Sequence, residues 1–305
     1  MKIQVIIPVY NPDDKFAYLL EMLEKQSVKN MRVLIIDSGQ NHLYQNRIAY
    51  DERFFLEEID SKDFNHGGTR QLGINMFPDE DVYVFLTQDA ILADEHAIEC
   101  LVKCFKDESV GCAYGRQIPH EDANCFSRMA RETNYGNASY VRAYLDKKIY
   151  GIKTCFISNS FAAYRGKAME QVEGFPMNTI LSEDMYVAAK MLINGWKIAY
   201  SAEACVYHSH NYTIWQEFKR YFDIGVFHAR EAWIGEAFGR AERQGLKFVV
   251  METKRIIKHN PLLLFAMMLR DGMKYIGYRL GINEKYIPIT IKKRISMNVH
   301  YWKRG

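Results

Sequence analysis

The stretch IQVIIPVYN, residues Ile3–Asn11, decides how the rest of the chain is read. It is a continuous apolar run halted by Pro8 and Asn11, the composition of a strand buried on both faces. Asp13 and Asp14 follow as helix openers, and Phe16, Leu19, Leu20 and Leu23 then fall on one stripe. The same order recurs downstream. RVLIIDSG (Arg32–Gly39) is a second buried strand ending at Asp37, and RFFLEEI (Arg53–Ile59) is a third apolar stretch. A helix over Thr69–Met76 begins at Gly67 and Gly68, VYVFLTQDA (Val82–Ala90) is strand, and DEHAIECLVKCF (Asp94–Phe105) is helix. Strand alternating with helix predicts an α/β fold around a mainly parallel central sheet with right-handed crossovers.

Beyond about Arg116 the pattern loosens up to Thr154, as in a substrate-facing insertion. TCFISNSFAAYR (Thr154–Arg165) resumes as strand, SEDMYVAAKMLINGW (Ser182–Trp196) is a helix and KIAYSAEACVYHSH (Lys197–His210) is strand again. From Tyr212 on the chain reads as helical, rich in aromatic and basic residues. The predicted division is an α/β domain over 1–211, with halves near 1–115 and 116–211, and a basic helical region over 212–305.

With 305 residues, 48% hydrophobic and 25% charged, the chain builds a substantial core, which excludes disorder as the default. The first residues lack the apolar length and small-residue site of an export signal, and Leu262–Leu269 is too short to span a bilayer. Six cysteines without a C-x-x-C pair read as reduced, mostly buried thiols. The net charge of +3 hides an asymmetry: residues 212–305 hold 18 Lys and Arg against 8 Asp and Glu, and the remainder 22 against 29. The C-terminal third is therefore +10 and the rest −7, which asks for an anionic surface near the former. No nucleic-acid recognition motif accompanies that charge.

In an open parallel sheet, ligands bind outside the carboxyl ends of the strands. Tyr10, Asp37 and Asp89 each stand where an apolar strand run stops, so three strands deliver polar groups to one rim. Alone, Asp37 ahead of Ser38-Gly39 is a turn initiator; together the three predict a nucleotide site. FNHGGTR (Phe64–Arg70) joins them. Gly67 and Gly68 at a helix start let backbone N–H groups approach an anion, and Arg70 adds a bidentate phosphate donor. The other reading of those residues is a glycine turn beside a solvated arginine.

With these pieces assembled, the chain resembles the family 2 glycosyltransferases of the GT-A fold, and more narrowly the bacterial rhamnosyltransferases. The resemblance rests on VIIPVYN, LIIDSG, FNHGGTR, FLTQDA, SEDMYVAAKMLINGWKIAY and VYHSHNYT, with KYIGYRLG and SMNVHYW in the tail. It implies a GT-A catalytic domain with a C-terminal helical extension, and inverting transfer of L-rhamnose from dTDP-L-rhamnose to a polyprenyl-linked saccharide acceptor in cell-surface polysaccharide synthesis. It also implies a cytoplasmic enzyme, peripheral at the inner face of the cell membrane. Carried over, Pro8, Tyr10 and Asp37 cradle the base, Arg70 lies at the donor's diphosphate beside Gly67, and Gln88 counts among the donor-binding residues. The family's Asp-x-Asp metal motif reads Thr87-Gln88-Asp89 here, so Asp89 alone of that pair holds Mg²⁺ or Mn²⁺, joined by His208, with His210 second. His208 also reads as a buried strand histidine. Asp184, beside Glu183, is the implied catalytic base; Ser182-Glu183-Asp184 equally suits a helix start with Ser182 as N-cap.

KFVVMETKRIIKHNPLLLFAMMLRDGMKYIGYRLG (Lys247–Gly281) mixes apolar stripes with Lys and Arg, as an amphipathic segment at a bilayer surface does; a solvated subdomain or an oligomer interface is the alternative. Two other classes compete for the whole. The GGTRQL segment resembles the glycine loop of sugar-nucleotide pyrophosphorylases, where that loop directly follows the first strand; here PVYN does. A non-catalytic carbohydrate-binding relative would explain the lost aspartate of the metal motif.

Overall fold

The computed structural model describes residues 1–40, 44–239 and 242–303. These form two compact units: 1–144 with 155–178 and 183–210, and 145–154 with 179–182 and 211–305.

The first unit is built on one sheet of nine strands. In chain order these are β1 (Ile3–Val9), β2 (Met31–Asp37), β3 (Phe54–Glu58), β4 (Val82–Leu86), β5 (Ile91–Leu92), β6 (Val110–Ile118), β7 (Tyr140–Arg142), β8 (Phe161–Arg165) and β9 (Lys197–Tyr207). Their spatial order is β3-β2-β1-β4-β8-β6-β9-β5, with β7 also on β9. β3, β2, β1 and β4 are mutually parallel, as are β6 and β9. Between these blocks β8 runs antiparallel to both β4 and β6. The strand expected over Thr154–Arg165 is thus shorter: Gly151–Cys155 is a 3-10 turn, and the ladder begins at Phe161.

Apolar residues run through both faces of the central strands because helices cover both. Val5, Ile7, Val33, Ile35, Val84 and Leu86 point to one side, where Phe16, Leu19, Leu20 and Leu23 of the helix Asp14–Lys25 cover them. Asp13 caps that helix, accepting from Lys15 N at 3.1 Å. On the opposite face Phe85 meets the rings of Tyr164 and Phe175 at centroid distances of 5.6 and 5.1 Å. The six cysteines are free thiols, and burial pushes Cys104 up to about 11.

The strand directions fix one functional edge. β4 ends at Leu86, which pairs with Phe161 at the start of β8. The carboxyl ends of β1, β4, β6 and β9 and the residues just ahead of β8 therefore lie along the same rim.

The second unit is helical, with Lys147–Tyr150, Ile214–Arg230, Ala232–Phe238, Glu242–His259, Leu264–Ile282 and Ile289–Ile295 as its α-helices among the described residues. The glycines of KYIGYRLG let two of its helices approach closely: a Cβ on Gly277 would stand 2.4 Å from Phe218 O, and one on Gly281 2.1 Å from Phe222 O. SMNVHYW is held by the buried Asp223, which accepts from Met297 N, Asn298 N and Asn298 Nδ2 at 2.9–3.1 Å. Residues 240, 241, 304 and 305 of the expected helical region lie outside the described residues.

Candidate active site

Three residues after β4, Asp89 faces the residues that follow β9. Its Oδ2 lies 3.5 Å from His208 Nε2 and 3.7 Å from His210 Nδ1. One donor atom from each of these three residues lies within 4.8 Å of the others, the spacing of ligands around a single cation. A carboxylate and two imidazoles are donors that first-row divalent metals accept. Burial raises the Asp89 carboxyl, but the hydrogen bond and charge of His208, with His210 behind it, outweigh burial and hold it below the usual carboxylate range. The residues fit a divalent metal, and they gather around Asp89 without the first aspartate of an Asp-x-Asp pair.

Gln88, in that aspartate's neighbourhood, turns the other way. Its Oε1 accepts from Tyr10 N at 2.7 Å and its Nε2 donates to Tyr10 O at 3.2 Å. The amide thus extends the β1–β4 pairing beyond its last backbone partner and fixes Tyr10, a residue 58% exposed. Gln88, expected among the donor-binding residues, therefore positions Tyr10. Pro8 lies in β1 two residues before Tyr10, half-buried.

Asp37 closes β2 with its carboxylate buried. Oδ1 accepts from Gly39 N at 2.7 Å and Oδ2 from Tyr44 Oη at 2.5 Å. Burial and the Asp37 carboxylate together hold the Tyr44 phenol well above its ordinary range.

FNHGGTR opens a helix that is packed against other segments. The helix is His66–Met76, so both glycines lie inside its first turn. Asn65 caps it, and Gly68 N donates to Asn65 Oδ1 at 2.5 Å. A Cβ on Gly67 would stand 1.8 Å from Pro176 O. Gly67 is glycine because another segment crosses there, so it offers no open phosphate cradle. Arg70 is corrected likewise. It is 5% exposed, donates from Nη1 to His66 O at 2.9 Å, and its Nη1 lies 3.2 Å from Glu183 Oε1. The charge expected at the diphosphate is paired inside the protein.

That pair leads to the second carboxylate group of the rim. Glu183 and Asp184 open the helix Glu183–Ile193. Ser182 has φ +59°, the left-handed region and not the extended one of an N-cap, so the helix-start reading loses its cap. Asn159, two residues ahead of β8, ties both acids: its Nδ2 donates to Glu183 Oε1 at 2.9 Å and its backbone N to Asp184 Oδ2 at 3.1 Å. Asn159 Oδ1 accepts in turn from Tyr164 Oη at 2.7 Å. The two acids have opposite electrostatics. Burial pushes Glu183 up, but Arg70, His66 and Asn159 outweigh it and hold it ionised. Asp184 is pushed up to about 7 by burial first and by the negative Glu183 second, against its bonds to Asn159 N and Met185 N. A carboxylate poised near neutrality is what proton abstraction requires.

Gln117 and Asn159 were not singled out from the sequence. Gln117, the penultimate residue of β6, joins the two groups, accepting from His208 Nδ1 at 2.9 Å and donating to Ser158 Oγ at 3.0 Å. Only its position at a strand end in the same rim could have drawn attention to it.

Residues 84–276 match the model of glycosyl transferase family group 2. The chain is 45% identical to an O-antigen chain rhamnosyltransferase of Salmonella typhimurium over 99% of its length and 96% of that protein's. A second O-antigen chain rhamnosyltransferase, from Salmonella anatum, is 42% identical over 98% of this chain and 95% of that one. Among solved structures, a mannosyltransferase from Pyrobaculum calidifontis in complex with GDP-Man and Mn²⁺ superposes with a TM-score of 0.63 at 14% identity, covering 93% of this chain and 87% of that one. S. aureus TarS 1–349 in complex with UDP-GlcNAc gives 0.57 at 14% identity, covering 94% and 92%. The fold is thus that of these glycosyltransferases, a mixed α/β sheet with flanking helices. By the match to the family model and the identity along almost its whole length, the chain belongs to glycosyl transferase family group 2.

Proposed function

We propose that this chain is an inverting rhamnosyltransferase, taking L-rhamnose from dTDP-L-rhamnose to a hydroxyl of a lipid-linked saccharide during cell-surface polysaccharide synthesis. The observation that carries the proposal is the pairing, on one sheet edge, of the donor set Asp89–His208–His210 with the raised carboxyl of Asp184. The names of the two Salmonella relatives support rhamnose as the sugar.

Asp184 accepts the acceptor's hydroxyl proton while that oxygen forms its bond to the anomeric carbon. The bond between that carbon and the diphosphate breaks on the opposite face, and dTDP leaves with the bonding pair. Glu183 raises the affinity of Asp184 for the proton through its negative charge, and Arg70 keeps Glu183 charged. Asp89, His208 and His210 would hold the divalent metal, Mn²⁺ or Mg²⁺, which would supply positive charge beside the departing diphosphate. Tyr10, fixed by Gln88 and beside Pro8, offers a ring face to the base, and Asp37 accepts from the base once Tyr44 releases Oδ2. Residues 1–115 form the nucleotide-binding half of the catalytic domain and 116–211 the acceptor half, with 212–305 as its helical companion.

A thermal-shift panel of dTDP-, UDP- and GDP-sugars with and without Mn²⁺, paired with product analysis, tests the reading. The expected result is greatest stabilisation by dTDP-rhamnose with Mn²⁺, and dTDP release when acceptor is added. Pyrophosphate release would establish the pyrophosphorylase reading in its place, and sugar binding without turnover the non-catalytic one.

The helical region supports contact with an anionic bilayer. No helix among the described residues is long and apolar enough to cross a membrane. Leu262 and Phe265 are 91% and 79% exposed at the turn between two helices. Lys254, Arg255 and Lys258 are exposed beside them, while Glu252 is buried. Each such cation near anionic lipid contributes about 1 kcal/mol. Sedimentation with phosphatidylglycerol vesicles at low salt, lost at high salt, is expected; a protein that stays in the supernatant at low salt refutes the contact.

A further inference from the structure

We propose that Gln117 is a positioning residue that selects which nitrogen of His208 faces the metal. The proposal rests on the reading that Asp89, His208 and His210 hold a divalent cation.

Gln117 is 2% exposed, and its Oε1 receives two donors, Arg131 Nη1 at 2.5 Å and His208 Nδ1 at 2.9 Å. A guanidinium only donates, so the amide atom facing Arg131 is the oxygen. The orientation of the amide is thereby fixed, and Nε2 of the same amide donates to Ser158 Oγ. The oxygen in turn obliges His208 Nδ1 to carry its hydrogen. In the neutral ring the lone pair is then on Nε2, the nitrogen 3.5 Å from Asp89 Oδ2.

The alternative tautomer shows why this matters. With hydrogen on Nε2, His208 would donate to Asp89 Oδ2, and that bond would occupy two of the three metal-binding atoms at once. In the neutral ring Arg131 and Gln117 exclude this state from behind, whereas the protonated ring carries hydrogen on both nitrogens and is the form that bonds to Asp89; the bond from His208 N to Ile118 O at 2.9 Å holds the backbone in place. Partners of this kind behind a metal-binding histidine change metal affinity by about 10- to 100-fold when removed.

The test compares the full-length protein with Gln117→Leu, Gln117→Glu and His208→Ala. Mn²⁺ affinity is measured by calorimetry, and the His208 tautomer by long-range ¹H–¹⁵N correlation of the metal-free protein, with His208→Ala giving the assignment. Gln117→Leu is expected to weaken Mn²⁺ about 10- to 100-fold and to move the His208 hydrogen to Nε2. Gln117→Glu, whose carboxylate still accepts from Nδ1, is expected to restore both. Should Gln117→Leu fail to fold, Arg131→Leu, which removes the donor that orients the amide, carries the same expectation. An unchanged tautomer, or Mn²⁺ affinity within twofold of wild type in a folded variant, overturns the role of Gln117. Absence of Mn²⁺ binding by the wild type overturns the metal reading and this proposal with it, a result distinct from the first because no variant is involved.

Discussion

Replacing Arg70 with methionine removes one half of an ion pair whose two side chains are each 6% exposed. At 3.2 Å and an effective dielectric of about 20, their attraction is about 5 kcal/mol before desolvation. Much of that is offset by the cost of burying both charges, so the pair contributes little net stability over an apolar replacement. The single variant is different, because Glu183 stays buried with only Asn159 and its neighbours to satisfy it. Arg70→Met is therefore expected to destabilise by about 3–5 kcal/mol, a fall in Tm on the order of 10 °C. Arg70→Met/Glu183→Gln should recover most of the loss, since the glutamine carbonyl still accepts from Asn159 Nδ2. Urea denaturation of wild type, both single variants and the double variant closes the cycle, with a coupling energy expected to exceed about 2 kcal/mol. Additive losses, or a cost for Arg70→Met below about 1 kcal/mol, would refute the internal pairing and return Arg70 to the phosphate-binding role expected from the sequence.

Three further outcomes follow from the site. The rate of transfer should fall as pH drops through about 7, because protonated Asp184 cannot accept the acceptor's proton. Glu183→Gln removes a negative neighbour and should move that limb to lower pH, and a limb left in place would detach Glu183 from the base. Gly67→Ala must push its new methyl into Pro176 O and is expected to lose about 1–3 kcal/mol or more on denaturation, whereas an unperturbed midpoint would show that segment to be loosely held. Chelation by EDTA should abolish transfer and added Mn²⁺ restore it; full activity in EDTA would show that Asp89, His208 and His210 serve another end.

The architecture was legible wherever burial alone decided it. IQVIIPVYN, RVLIIDSG and VYVFLTQDA announced strands because an apolar run bounded by turn residues has few other places to go. The antiparallel β8 was not legible, since a buried strand carries no mark of its direction. FNHGGTR misled for a physical reason: a glycine that admits a phosphate and a glycine that admits a crossing backbone are the same residue. What separates them is Pro176, more than a hundred positions away. Arg70 was misread likewise, because its partner Glu183 is adjacent only in space. The grouping of Asp89 with His208 and His210 came from resemblance, and the geometry supplies the distances. Gln117 and Asn159 left no trace in the sequence, as single amides act through whatever the fold places beside them.

In the proposed reaction Asp184 is the group that removes the acceptor's proton. Asp184→Asn keeps the size of the side chain and its oxygen facing Asn159 N while removing the basicity. Measured side by side, donor binding by calorimetry should be unchanged and transfer from dTDP-rhamnose should fall by at least about 10²-fold. Turnover at the wild-type rate in a variant that binds donor normally would contradict it.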